Sequence, residues 1–268
     1  MRAKRSLGQN FLIDDAVSHR IVDALELDPG ETVVEIGPGV GALTEKLLAA
    51  GAHVTAIEFD RELIDPLEKR FGSDVRFKLR NEDALSADFS SLIPVSEKAK
   101  LVGNLPYNIS TPILQRVIDD RVLFSKIVFM FQREVVERIT ARPGGKGRGF
   151  LSVLVEAAFE TEYLFDVCPT AFRPVPKVWS AVVRLTPKTS DTDHYVLFRK
   201  LVSVSFAQKR KTILNNLKHL LNDAASVLST AGIDPNRRAE TLSIEEWKGL
   251  TEIVASSSGS IRGAGPTN

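Results

Sequence analysis

Cysteine is almost absent from this chain of 268 residues, because Cys168 is the only one. A lone cysteine excludes an intrachain disulfide, which fits a reducing compartment. The chain also lacks an apolar run long enough for a membrane-spanning helix. The basic N-terminus is not followed by the apolar stretch of a signal peptide. We therefore expect a cytoplasmic protein without a membrane partner. A monomer is also expected.

Histidine is also scarce, and its arrangement argues against a metal centre. The four histidines are scattered without ligand spacing, at positions 19, 53, 194 and 219. Cys168 has no obvious catalytic partner in the sequence. We therefore predict no metal site and no nucleophilic triad.

The chain has almost no excess of either charge, since its net charge is +1, but its basic residues are clustered locally. Residues 1–13, 142–148 and 199–222 each contain several lysines or arginines, and none of the three ranges contains an acid. Such clusters can bind a phosphate backbone, or they can be ordinary solvated surface. The clusters alone leave both interpretations open.

Short apolar runs alternate with helical patterns through the first half of the chain. We predict strands at 32–36, 53–58, 75–79, 100–103 and 126–131, and helices at 44–50, 61–71, 111–120, 133–140 and 151–159. This order predicts an α/β fold with a mostly parallel sheet. Residues 168–177 are too few for a helical crossover, so the last two strands, 162–167 and 178–186, should pair antiparallel.

The composition changes after residue 187, where 187–193 is typical of a linker. A capping box, Ser243-x-x-Glu246, predicts a helix in the part that follows. We therefore predict an α/β domain over 1–187, a small helical domain over 188–256 and a disordered tail over 257–268. The glycine-rich segment 142–149 is expected to be a mobile loop.

A glycine-rich turn with Gly37, Gly39 and Gly41 joins a buried strand to a helix. Such a turn lets a ligand approach the backbone closely, and Glu58 ends the next strand where a ribose-binding carboxylate would lie. Ala42 stands where a dinucleotide fingerprint has its third glycine, which argues modestly against NAD. Asp83 and Ala84, after the third strand, either form a turn or bind an adenine amino group.

The segment Asn104-Leu105-Pro106-Tyr107 ends the fourth strand, and ligands of open parallel sheets bind beyond the strand ends. The side-chain oxygen of Asn104 and the carbonyl of Leu105 could both accept from an aromatic amine and direct its lone pair at a methyl donor. Pro106 would stiffen the turn, and Tyr107 could stack on a base. In isolation the same four residues also fit a simple proline turn.

These motifs resemble those of the ribosomal RNA adenine dimethyltransferase family. The resemblance is carried by LGQNFL at 7–12, by residues 35–44, 82–85 and 104–107, and by FRPVPKV at 172–178. Two further stretches, FAQKRKT at 206–212 and NRRAETLS at 236–243, resemble the KsgA branch. That branch dimethylates two adjacent adenosines in a hairpin loop near the 3′ end of small-subunit rRNA.

The resemblance implies a Rossmann-like, S-adenosylmethionine-dependent catalytic domain, an rRNA-binding helical domain and a role in small-subunit biogenesis on a pre-ribosomal particle. It implies that the cofactor is bound by Gln9, Asn10, Leu12, Gly37, Gly39, Gly41, Glu58, Asp83, Ala84 and Asn104. The target adenine would be held by Asn104, Leu105, Pro106 and Tyr107, with Phe172 stacked on its other face.

Three alternatives remain open at this stage. A large-subunit adenine methyltransferase of the macrolide-resistance type would share the catalytic half, although the C-terminal stretches argue against it. A ribosome-assembly factor in which methylation is secondary would use the basic clusters. An NAD-dependent oxidoreductase is a distant third.

Overall fold

The computed structural model describes residue 4 and residues 7–106, 109–189 and 194–257. Its main helices and strands, in chain order, are β1 Phe11–Leu12, α1 Asp15–Asp23, β2 Thr32–Ile36, α2 Ala42–Ala49, β3 His53–Glu58, α3 Arg61–Phe71, β4 Phe77–Asn81, β5 Ala99–Asn104, α4 Ser110–Asp119, β6 Phe124–Gln132, α5 Arg133–Ile139, α6 Phe150–Ala158, β7 Phe159–Val167, β8 Phe172–Arg173, β9 Ser180–Pro187, α7 Tyr195–Ser205, α8 Ile213–Leu217, α9 Ala224–Thr230 and α10 Ile244–Ser256. No helix among these described residues is long and apolar enough to cross a membrane.

The large sheet has seven strands in the order β4-β3-β2-β5-β6-β9-β7. Strands β2 to β6 pair in parallel, whereas β9 is antiparallel to both of its neighbours. The predicted fold class, a mostly parallel sheet whose last strand is antiparallel, is confirmed. The carboxyl ends of β2, β3 and β5 therefore lie side by side, at one edge of the sheet.

One predicted strand is displaced by two residues for a local reason. Strand β4, which corresponds to the predicted strand 75–79, begins at Phe77 rather than at Val75. Asp74 turns the chain there, because its carbonyl accepts from the Phe77 N–H and its carboxylate binds the Arg76 side chain. Val75 is consequently exposed, although the sequence alone places it in an alternating apolar pattern with Phe77 and Leu79.

Two compact units make up the chain. The first contains Met1–Val136 and Phe159–Pro187, and the second contains Glu137–Ala158 and Lys188–Asn268. Residues 137–158 thus cluster with the C-terminal helices, whereas the sequence prediction drew a single boundary at 187. Most of the predicted tail and residues 190–193 of the predicted linker lie outside the described residues.

In the second unit, α10 packs against α6, α7 and α9. The predicted capping box is present, because the Ser243 side chain accepts from the Glu246 N–H and the Glu246 carboxylate accepts from the Ser243 N–H. The loop over 142–149, expected to be mobile, has firm anchors in the structure. Buried Arg148 forms an ion pair with Glu156 and donates to the Leu242 carbonyl, and the Gly144 N–H donates to the Glu240 carbonyl.

Candidate functional site

The first unit contains a cavity of about 250 Å³ at the sheet edge where β2, β3 and β5 end. Its walls come from the N-terminal segment 7–12, the glycine turn after β2, the end of β3, residues 82–85 and the segment after β5. Segments far apart in the sequence are thus brought to one place by the parallel strand order. Predicted site residues that line this cavity are Gln9, Asn10, Leu12, Gly37, Gly39, Glu58, Asp83, Ala84, Asn104, Leu105 and Pro106.

The glycine turn presents backbone to the cavity at Gly37 and Gly39. Both have positive φ angles, +67° and +58°, which residues with a side chain rarely adopt. A Cβ on Gly39 would lie 3.1 Å from Phe11 Cδ1, so a side chain here would crowd the cavity wall. These two glycines therefore leave room for a ligand against the backbone.

Gly41 has a different role in the structure. It is not among the described residues that line the cavity. It caps the N-terminus of α2 with φ +86°, and a Cβ there would overlap Phe71 Cε2 and lie 2.8 Å from Phe71 Cζ. Contact with the end of α3, rather than with the cavity, is what requires glycine at this position.

Glu58 is a buried carboxylate at the carboxyl end of β3. Its two oxygens accept from the backbone N–H groups of Asp60, at 2.8 Å, and Gly39, at 3.2 Å. Burial raises the pKa of Glu58, and these two N–H donors oppose that shift. The side chain is thus held in place, and each oxygen keeps a lone pair for a hydroxyl donor.

Glu35, which the sequence analysis did not select, also lines the cavity. It is buried within β2, and the Thr44 hydroxyl donates to it at 2.6 Å. Burial, with Glu58 nearby, raises its pKa to about 7. An acid inside an otherwise apolar strand, directly before a glycine turn, is the signal that could have identified it.

The N-terminal segment is tied down by another residue that the sequence analysis missed, Asp60. Lys4 Nζ donates to one carboxylate oxygen at 2.7 Å, and Gln9 Nε2 donates to the other at 2.8 Å. The Gln9 side chain in turn accepts from the Lys4 N–H at 2.8 Å. Gln9 therefore lines the cavity but uses its side-chain amide to hold the segment in place.

Asn104 lies at the end of β5 with its side-chain amide oriented by the same segment. Asn104 Nδ2 donates to the Asn10 carbonyl at 3.2 Å, which leaves Oδ1 on the opposite side of the amide. The Leu105 N–H donates to the Met130 carbonyl of β6, at 3.3 Å, so the turn is attached to the sheet. Tyr107, the remaining predicted residue of this turn, lies outside the described residues.

Asp83 forms the turn that the sequence allowed, and it does so at the cavity. Its side chain accepts from the Leu85 N–H at 2.9 Å, and its carbonyl accepts from Ser86 and Ala87, as in a turn. Asp83 and Ala84 also line the cavity. A turn that faces a cavity can present the second carboxylate oxygen to a ligand.

Phe172 is fully buried, at 1% exposure, and lies opposite Leu12 in the β1–β8 pair. It is not among the described residues that line the cavity. The stacking of Phe172 on a base remains a prediction, because its ring is buried in this arrangement.

The described part of the chain contains no group of three side chains that could hold a metal ion.

A family model described as "Ribosomal RNA adenine dimethylase" matches residues 1–256. The ribosomal RNA small subunit methyltransferase A of Pseudomonas aeruginosa is 44% identical over 258 residues, which cover 95% of each chain. A dimethyladenosine transferase from Plasmodium falciparum has a similar structure, with a TM-score of 0.81, 26% identity and coverage of 94% of this chain and 99% of that one. The 23S rRNA methyltransferase ErmE gives a TM-score of 0.72 and 27% identity, over 92% of this chain and 100% of its own. The resemblance in the sequence is confirmed, and the chain belongs to the ribosomal RNA adenine dimethylase family.

Proposed function

We propose that this chain dimethylates the N6 amino groups of two adjacent adenosines in the 3′-terminal hairpin loop of small-subunit rRNA, with S-adenosylmethionine as donor. The observation that carries the proposal is the Asn104 amide. It is held at the cavity by the Asn10 carbonyl, so that its oxygen is available to an incoming amine. The small-subunit methyltransferase name of the Pseudomonas aeruginosa relative supports the choice of rRNA.

The residues present suit S-adenosylmethionine in charge and shape. Glu58 would accept from ribose hydroxyls, and Asp83 from the adenine amino group. Gly37 and Gly39 leave space beside the backbone at the N-terminal end of α2, where a carboxylate is favoured. When bound, this cofactor supplies a methyl group already activated by a cationic sulfur.

The chain's own contribution to transfer is to orient the amine. The lone pair of an aromatic amine is delocalised into the ring, which makes the nitrogen a weak nucleophile. Asn104 Oδ1 and the Leu105 carbonyl would accept from its two N–H groups and favour a pyramidal nitrogen. Once methylated, the nitrogen is positively charged and strongly acidic, so its proton can leave to water without a strong base.

The second unit would bind rRNA. Its loop between α7 and α8 exposes Lys209, Arg210 and Lys211 with no acid between residues 199 and 222. Adjacent cations suit a phosphate backbone. The proposed setting is a cytoplasmic pre-ribosomal small subunit bound by a monomer, which sedimentation of the mixture would test.

Large-subunit RNA is the second candidate substrate, favoured by the likeness to ErmE. Both substrates are tested by incubating the protein with labelled S-adenosylmethionine and unmethylated subunits of each kind, followed by mapping of the modified positions. Label on the two small-subunit adenosines is expected. Label confined to large-subunit RNA, or none on either, would overturn the proposal.

Asn104→Ala provides the matched test of mechanism. It should abolish turnover and leave binding of small subunits largely intact, because it removes one acceptor and no basic residue. If the inactive variant restores subunit assembly in cells that lack the protein, binding contributes more to biogenesis than methylation does. Titration with a nicotinamide cofactor distinguishes the oxidoreductase alternative.

A further inference from the structure

The segment between β8 and β9 exposes an unusual set of apolar side chains. Val175, Val178 and Trp179 are 62%, 44% and 45% exposed. The other tryptophan of the chain, Trp247, is fully buried. An exposed tryptophan beside exposed valines is a feature of binding surfaces rather than of ordinary solvated loops.

The strand register brings Trp179 to the edge of the sheet that holds the cavity. Strand β9 is antiparallel to β6, so it begins where β6 ends, with Ser180 opposite Gln132. Asn104, in turn, lies opposite Met130 of β6. Trp179 is thus roughly 10 Å across the sheet, two strand spacings, from the strand that carries Asn104.

The backbone of Trp179 is fixed at this edge. Its carbonyl accepts from the Arg133 N–H at 2.9 Å, at the point where β6 passes into α5. The indole is therefore presented from an anchored chain rather than from a free loop tip. An aromatic ring held in this way loses little conformational entropy when it stacks on a planar ligand.

The surroundings of Trp179 are basic. Arg173 and Lys177 are exposed, and residues 173–179 contain no acid. Two acids lie near Arg133 at this edge: Glu134 follows it in the chain, and the Asp166 carboxylate is 3.9 Å from its guanidinium. An exposed aromatic ring among cations matches a nucleic-acid strand, with a base for the ring and phosphates for the cations.

We propose that Trp179 stacks on a nucleobase that neighbours the target adenosine, while Lys177 and Arg173 contact the adjoining phosphates. The proposal rests on an RNA substrate, as in the proposed function. It assigns to Trp179 a contact with the substrate strand outside the cavity. Phe172, the aromatic residue that the family resemblance implies for stacking, is buried in this arrangement, whereas Trp179 faces solvent.

Steady-state methylation of unmethylated small subunits provides the first test. Trp179→Ala should raise KM at least about fivefold and leave kcat nearly unchanged, because base stacking on an aromatic ring is lost. Trp179→Phe should restore most of the affinity, and Trp179→Leu should not. Val122→Ala changes an exposed valine just before β6, at the opposite edge of the sheet, so it is the matched control and should leave KM within twofold of the original.

A fluorescence titration tests stacking without relying on turnover. An RNA hairpin whose loop contains the two adjacent adenosines should quench the emission of the original protein. The quenching should vanish in Trp179→Phe, which retains only the buried Trp247.

Equal KM values for Trp179→Ala and the original protein would overturn the proposal. So would rescue by leucine as complete as by phenylalanine, which would indicate an apolar contact with a ribosomal protein instead. These outcomes are distinct from failure of the proposed function, in which the original protein would label no small-subunit adenosine. In that case the titration would still decide whether Trp179 binds RNA.

Discussion

Replacing Gly41 by alanine should destabilise the first unit more than it weakens cofactor binding. Gly41 is one of three glycines in a turn whose pattern predicts a ligand-binding loop. Its position differs from that of the other two, because a side chain added at Gly41 would point at Phe71 and not into the cavity. The variant therefore distinguishes a packing role from a ligand-binding role.

Two costs contribute to the expected loss of stability. A residue with a side chain pays about 1–2 kcal/mol to adopt the left-handed conformation that φ +86° requires. The new Cβ also overlaps the ring of Phe71, and overpacking of this kind costs about 1–3 kcal/mol. Phe71 cannot move freely, because its ring packs against Phe77 with centroids 5.5 Å apart. These two penalties act on different atoms and can be added, so the expected loss of unfolding free energy is about 2–5 kcal/mol.

Denaturant unfolding followed by circular dichroism measures this loss. Gly30→Ala is the matched control, because Gly30 has φ +89° but nothing within 4 Å of an added Cβ. It should therefore show the backbone cost alone, about 1–2 kcal/mol. Calorimetric titration with S-adenosylmethionine, well below the unfolding temperature, should give similar Kd values for Gly41→Ala and the original protein.

The reasoning is refuted if Gly41→Ala is no less stable than Gly30→Ala. It is also refuted if Gly41→Ala keeps its stability and loses cofactor affinity, since that result would place Gly41 against the ligand.

Three further variants test the site and the helical unit. Glu35→Gln should flatten the pH dependence of stability. Burial raises the pKa of Glu35 from 4.5 to about 7, so its contribution is complete below pH 4.5. About 3 kcal/mol of it is lost as pH rises from 4.5 to about 7. Unfolding free energies from pH 4.5 to 8 measure this, and an unchanged slope would contradict it. Asp60→Asn should keep the cap on α3 but lose the ion pair with Lys4. Because that ion pair holds the N-terminal segment at the cavity, its loss should weaken cofactor binding several-fold. Glu62→Gln, which alters the exposed partner of Lys4, is the control. Equal Kd values in calorimetric titrations would count against that role. Ser243→Ala should cost the second unit about 1 kcal/mol by removing the α10 cap, whereas Ser203→Ala, on the exposed face of α7, should not change the unfolding midpoint.

Much of the fold could be predicted because it depends on local patterns. The bounds of β2, β3 and α3 equal the predicted ranges 32–36, 53–58 and 61–71, which follow from apolar patterns along the chain. The cavity position follows as well, since parallel strands bring their carboxyl ends to one edge. Glu58, Asp83 and Asn104 each end or follow a strand, so their convergence could be deduced from the order of elements.

The α/β order, the family and the edge of the sheet at which the cavity lies could all be deduced from local sequence patterns. Which residues at that edge line the cavity and which face the core depends on tertiary contacts. Gly41 contacts Phe71, Phe172 is buried against β1, and Asp60 binds Lys4 across 56 positions of sequence. These roles depend on contacts between residues that are distant in the chain, and no local periodicity or motif spacing specifies such contacts.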